Sequence, residues 1–71
     1  MTDHVYKHIE LTGTSSKSIE DAIQNAVARA AQTVRYLRWF EVIGTRGYID
    51  NDSVKQWQVS LKIGFSLEGE D

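Results

Sequence analysis

The segment Val54 to Leu67 constrains the fold more than any other part of this chain, because it gives the clearest alternation of side chains. Trp57, Val59, Leu61, Ile63, Phe65 and Leu67 fall on one face, and Gln56, Gln58, Ser60, Lys62 and Gly64 on the other. That two-residue period belongs to a strand with one buried face. Such a strand needs partners along its edges and cover over its apolar side. The 71 residues, read as one domain spanning 1–71, are near the size at which a lone hydrophobic core is marginal. There is no cysteine to supply a disulfide, and two histidines are a poor basis for a zinc staple. A bound ligand and oligomerisation together are the expected means of stabilising so short a chain.

The remaining elements follow from periodicity. His4 to Thr12 reads as a strand, with Val5, Ile9 and Leu11 on one face, Lys7 being the exception there, and His4, Tyr6, His8 and Glu10 on the other. The small, polar "GTSSKS" then reads as a connection, and Ser18 as a helix N-cap ahead of Glu20 and Asp21. Ile19, Ala22, Ile23, Ala26, Val27, Ala30, Val34 and Leu37 keep helical spacing, with Arg29, Arg35 and Arg38 toward the helix end. The stripe is rich in alanine, which lets a sheet approach closely. Trp39 to Ile49 reads as a second strand that bends or bulges at Gly44 or Gly47, "DNDS" as a turn, and "EGED" as a frayed tail. The order is strand, helix, strand, strand. It predicts an α+β fold, βαββ, with one helix packed in a curved three-stranded antiparallel sheet whose third strand lies between the first two. The helix covers one face, leaving Tyr6, Trp39, Gln58 and Lys62 to project from the other.

The chemistry-bearing residues point to binding more than to catalysis. On a strand, His4 and His8 stand about 13 Å apart, too far to share a metal ion. "GTRG" is too short for a phosphate loop and does not open a helix. A net charge of -2 and a pI near 5.6 oppose a dedicated nucleic-acid binder, and the opening "MTDHVYKHIE" lacks a signal peptide's apolar run, so a soluble cytoplasmic protein is expected. Trp39 and Phe40 are adjacent and so face opposite ways. With Phe40 and Val42 toward the helix, Trp39 goes to the open face with Glu41 and Ile43, either as a subunit contact or as a platform for a planar ligand. Gln58 can meet the imide edge of a flavin or pyrimidine, or can be a solvated strand glutamine, and Gln56 shares its face. Lys62 also lies on that face. Arg46 can meet a phosphate or pair with a nearby acid.

Taken together, "DHVYKHIELTGTS", "SIEDAIQNAVARAAQTVRYLRWFEV", "TRG" and "WQVSLKIGFSLEG" resemble the dodecins, small bacterial and archaeal flavin-binding proteins, over essentially the whole chain. The resemblance implies assembly into a hollow dodecamer. It also implies flavins, FMN or riboflavin, stacked between symmetry-related tryptophans and contacted by a glutamine; the matching residues are Trp39 and Gln58, with Arg46 at the ligand phosphate or in support of the site. Some members carry an arginine after the last G-F and also bind coenzyme A; Ser66 stands there in this chain, which speaks against that second site. The function implied is storage and sequestration of flavin with photoprotective quenching by tryptophan, not enzymatic turnover. Two other classes remain: a purely structural shell, which would take up no flavin, and a single-strand nucleic-acid binder using Arg35, Tyr36, Arg38 and Trp39, which would bind in a salt-dependent way.

Overall fold

A computed structural model of the chain describes residues 3–67. It contains β1 (Tyr6–Ser15), α1 (Ile19–Ala30), β2 (Leu37–Asp50) and β3 (Ser53–Ser66). The sheet is antiparallel in the order β1-β3-β2, so the expected α+β architecture is the one observed. Asn51 and Asp52 close the β2–β3 hairpin, both with positive φ. That is the demand of a two-residue hairpin loop, and asparagine and aspartate tolerate it best after glycine. The expected tail "EGED" lies outside the described residues.

Strand β1 runs further than its sequence implies. Gly13, Thr14 and Ser15, expected in a connection, pair with Val59, Gln58 and Trp57 of β3. Tertiary pairing overrides the turn-like composition, and the glycine is what allows it. A Cβ on Gly13 would collide with the Ala22 carbonyl oxygen and come within 2.9 Å of the Ala26 Cβ, so helix and strand are in contact through bare backbone. Ala22, Ala26 and Ala30 form the buried stripe of α1, and they meet Val59, Leu61 and Ile63 of β3, all three almost fully buried. Polar ties fix the helix start. The Ser18 hydroxyl accepts the Asp21 N–H at 3.0 Å, as an N-cap should. The Ser15 hydroxyl donates to Asp21 Oδ2 at 2.6 Å, and Asn25 Nδ2 donates to the Thr14 carbonyl at 3.0 Å.

The helix stops at Ala30, seven residues short of the apolar periodicity that runs to Leu37. Residues 31–33 form a turn, and the chain reverses through Tyr36, whose φ of 64° lies in the left-handed region. Its carbonyl is held by the Ser66 N–H at 3.0 Å, which anchors the reversal to the end of β3. Only Arg29 therefore sits in the last helical turn. Arg35 lies in the reversal and Arg38 in β2, so neither owes its place to the helix dipole.

The cover over the sheet is also narrower than expected. Helix α1 packs on β1 and β3, and of the helix-side residues of β2 Leu37 reaches the core while Phe40 and Val42 lie at its margin. Phe40 and Val42 pair with Ile63 and Leu61 and so turn to the helix side, yet they are 50% and 40% exposed. A shallow apolar cleft of about 160 Å³ opens there between Val27, Leu37, Phe40 and Ile63. The long hairpin adds exposed Ile49 and Val54, and the protomer measures 56 × 20 × 14 Å. Its radius of gyration is 14.5 Å, against about 11 Å for a compact chain of this length.

Gly13 yields the test of this packing. Gly13→Ala is expected to destabilise the fold by about 1–3 kcal/mol through overpacking against α1. The measurement is the guanidinium unfolding midpoint at fixed protein concentration; an unchanged midpoint would mean that the helix has room to retreat.

Candidate functional site

The sheet face turned away from α1 is ordered in rows that cross all three strands. His8, Gly64 and Trp39 form one row, Glu10, Lys62 and Glu41 the next, then Thr12, Ser60 and Gly44, then Thr14, Gln58 and Arg46. Tyr48 and Gln56 extend it on β2 and β3. The Thr12 and Ser60 hydroxyls lie 3.1 Å apart across their row. Among the described residues no group of three or more His, Asp or Glu side chains could hold a metal ion.

Trp39 stands at one end of this face. Its indole reaches over β3, because a Cβ built on Gly64 would stand on the ring atoms Cε2, Cζ2 and Cδ2 together. The residue is 42% exposed, so the ring is not swallowed by its own subunit.

Arg46, Gln58 and Gln56 form a hydrogen-bonded chain toward the other end. Arg46 Nε donates to Gln58 Oε1 at 2.8 Å, and Gln58 Nε2 donates to Gln56 Oε1 at 2.9 Å. A guanidinium can only donate, so it dictates which end of the Gln58 amide is oxygen. One lone pair and one N–H of that amide remain for a guest. Gln56 and Gln58, with Ser16, Tyr48 and Lys55, line a broad groove of about 510 Å³.

Arg46 reaches this face through an irregularity in β2. Unbroken alternation would set an even-numbered residue opposite to Trp39. The register instead slips between Val42 and Gly44, leaving Ile43 without a partner on β3, and every later residue changes side. The bulge falls beside Gly44, one of the two glycines at which it was expected; Gly47 keeps its pairing with Trp57. Ile43, expected with Trp39 on the open face, is the bulge residue itself.

The dodecin family model matches residues 5–68. A dodecin from Thermus thermophilus is 55% identical over 64 residues, covering 90% of this chain and 93% of that protein. The chain belongs to the dodecin family. Solved dodecins agree in fold: that of Streptomyces coelicolor superposes with a TM-score of 0.91 at 48% identity, covering 99% of this chain and 100% of the other. The dodecin of Streptomyces davaonensis gives 0.90 at 39% identity, covering 94% and 98%.

In this dodecin protomer the three sequence-chosen residues share one face but not one spot. Arg46 and Gln58 touch. Trp39 lies over Gly64, six residues along β3 from Gln58, which is about 20 Å at strand rise. Of two further residues on this face, the sequence reading left Gln56 open and missed Gly64. Gln56 was indistinguishable from Gln58 by alternation and proves bonded to it. Gly64 carried a readable signal, since an isolated glycine inside a well-formed strand marks the close approach of another group. Ser66, at the position of the arginine noted in other members, is buried, and its hydroxyl accepts the Arg38 Nε–H at 3.0 Å.

Deleting Ile43 tests the bulge directly. Ile43 is the residue without a partner, so its removal should leave Gly44 opposite Ser60 and Arg46 opposite Gln58 in a regular strand, with the Arg46–Gln58 bond kept. A crystal structure of the deletion variant in which Arg46 has left Gln58 would show that β2 needs the extra residue to keep its register on β3.

Proposed function

We propose that this dodecin binds and stores flavin, FMN or riboflavin, in a site completed by a second copy of the chain. The observation that carries the reading is the indole of Trp39, laid out on the open face of the sheet with much of its surface free. An aromatic plane of this kind favours a stacked planar guest by about 0.5–1.5 kcal/mol beyond the area it covers. The Gln58 amide, its oxygen turned to Arg46, keeps one donor and one acceptor for a guest's imide edge. About 20 Å of strand keeps indole and amide of one protomer from gripping the same edge of one guest. A two-fold axis that brings Trp39 of one copy toward the Gln58 end of another removes the difficulty and uses every residue twice. The exposed apolar side of β2 gives such copies a reason to associate, and a homododecamer is the assembly proposed.

Storage with quenching is the corresponding role. An indole in stacking contact can pass an electron to an excited flavin and take it back, which shortens the excited state. The indole, the two amides and the guanidinium are groups suited to holding a guest, and the role proposed is binding without turnover. The nucleic-acid alternative loses its footing, since Tyr36 shapes the chain reversal and Arg38 is engaged by Ser66. Position 66 is a serine and carries no cation of its own for coenzyme A, so the cargo proposed is flavin alone. The setting proposed is cytoplasmic; among the described residues no helix is long and apolar enough to cross a membrane.

Titration of the purified assembly with FMN and with riboflavin, followed by flavin fluorescence, tests the proposal. Quenching to a plateau near one flavin per chain is expected. Trp39→Ala should weaken binding at least about tenfold and abolish most of the quenching. Gln58→Ala should weaken it by a smaller factor, about fivefold, as for one hydrogen bond. A large particle that quenches neither flavin would instead be a structural shell.

A further inference from the structure

We propose that Gly64 is a positioning residue for Trp39: it seats the indole flat on the sheet, seals one ring face, and leaves a planar ligand only the other. The geometry is specific. A Cβ on Gly64 would meet Cε2, Cζ2 and Cδ2 at once, with Cδ2 at 2.7 Å. These are three consecutively bonded atoms at the fusion of the two rings. A ring meeting the strand edge-on would offer one or two atoms and hold the third well away, so the indole lies with its face across the Gly64 backbone. Gly64 itself is buried, whereas Trp39 is partly exposed, as expected of a glycine roofed by a ring whose outer side is bare.

No other role accounts for a glycine here. Its φ is not positive, so the backbone would accept alanine without strain. Its partners His8 and Trp39 lie in a regular row, with the irregularity in β2 falling before Trp39 and not at the Gly64 pairing itself. The three atoms that an added methyl group would meet first all belong to the indole. It would lift the ring from the sheet and turn it off its seat, because a face-on contact leaves the side chain no sideways slack. The consequence for ligands rests on the flavin reading above; the seating of the ring does not. If each indole has only one usable face, a symmetry-related pair must present its outer faces to each other, and the guests must lie between them.

Two arms separate these statements. In a Trp57→Phe protein, where Trp39 is the remaining tryptophan, the fluorescence anisotropy should decay with tumbling of the particle alone. A dominant nanosecond component from local ring motion would overturn the seating. In the second arm, Gly64→Ala is compared with wild type in the FMN titration, once size-exclusion chromatography shows the same assembly. The dissociation constant should rise at least about tenfold with Trp39 present, yet change less than about twofold in a Trp39→Ala background, where the ring that the methyl group would displace is gone. Equal binding by Gly64→Ala and wild type, or equal weakening in both backgrounds, would overturn the proposal. Should Gly64→Ala fail to assemble, the anisotropy arm decides. If wild type itself takes up no flavin, the flavin reading fails and the anisotropy still reports whether Gly64 seats the ring.

Discussion

Strand β3 is hydrogen-bonded along both edges, to β1 over its whole paired length and to β2 through the hairpin and beyond. Everything else is placed by that double pairing. Because the period is two, fixing β3 divides the molecule into a dry side and an open side in one step. Val59, Leu61 and Ile63 go under the helix, while Gln56, Gln58, Ser60, Lys62 and Gly64 go outward. The register then delivers specific residues of β2 to them: Arg46 to Gln58, Glu41 to Lys62, Trp39 to Gly64. A slip of one residue would exchange core and site along the entire strand.

The dry side is small. Three alanines against three aliphatic side chains make a thin core, thin enough that Gly13 must bring backbone against backbone. Larger residues on α1 would lift the helix and lose the contact with β1. The helix is too narrow to roof β2 as well, and Phe40 and Val42 are left facing outward on the same side as the core. A protomer with this apolar margin and an elongated shape is an incomplete unit, and copies of itself are the simplest cover for it. In the assembly proposed, subunit contacts and ligand site depend on each other, since the exposed apolar margin of β2 flanks the strands that carry Trp39 and Gln58.

Much of this arrangement could be read in the residues, and the parts that could not fail for identifiable reasons. The alternation of β3, the N-cap at Ser18 and the β1-β3-β2 order follow from period, capping chemistry and connection rules. The early end of α1 was hidden because the apolar spacing continues through Val34 to Leu37, and because the left-handed residue is Tyr36 where a glycine would have announced it. The end of β1 was hidden by composition: Gly13, Thr14 and Ser15 look like a turn and become strand only because β3 is there to pair with them. At the site, the outward direction of Trp39 followed from its neighbour Phe40. The side on which Arg46 emerges did not, since it depends on a bulge of one residue.

The kind of chemistry this face supports follows from the same geometry. Catalysis requires groups that interact more strongly with a transition state than with a ground state. Stacking on an indole does the opposite, being strongest for a stable, flat, aromatic molecule at rest. The Arg46–Gln58–Gln56 chain has a similar character: each amide is held by its neighbour, and Gln58 is preset to read a fixed pattern of donor and acceptor. Preorganisation of this sort lowers the cost of binding. A face so built suits the retention and shielding of a guest proposed above, and the irregularity before Trp39, the bulge at Ile43 and the bare backbone at Gly64 are local departures from a plain strand that bring its parts into place.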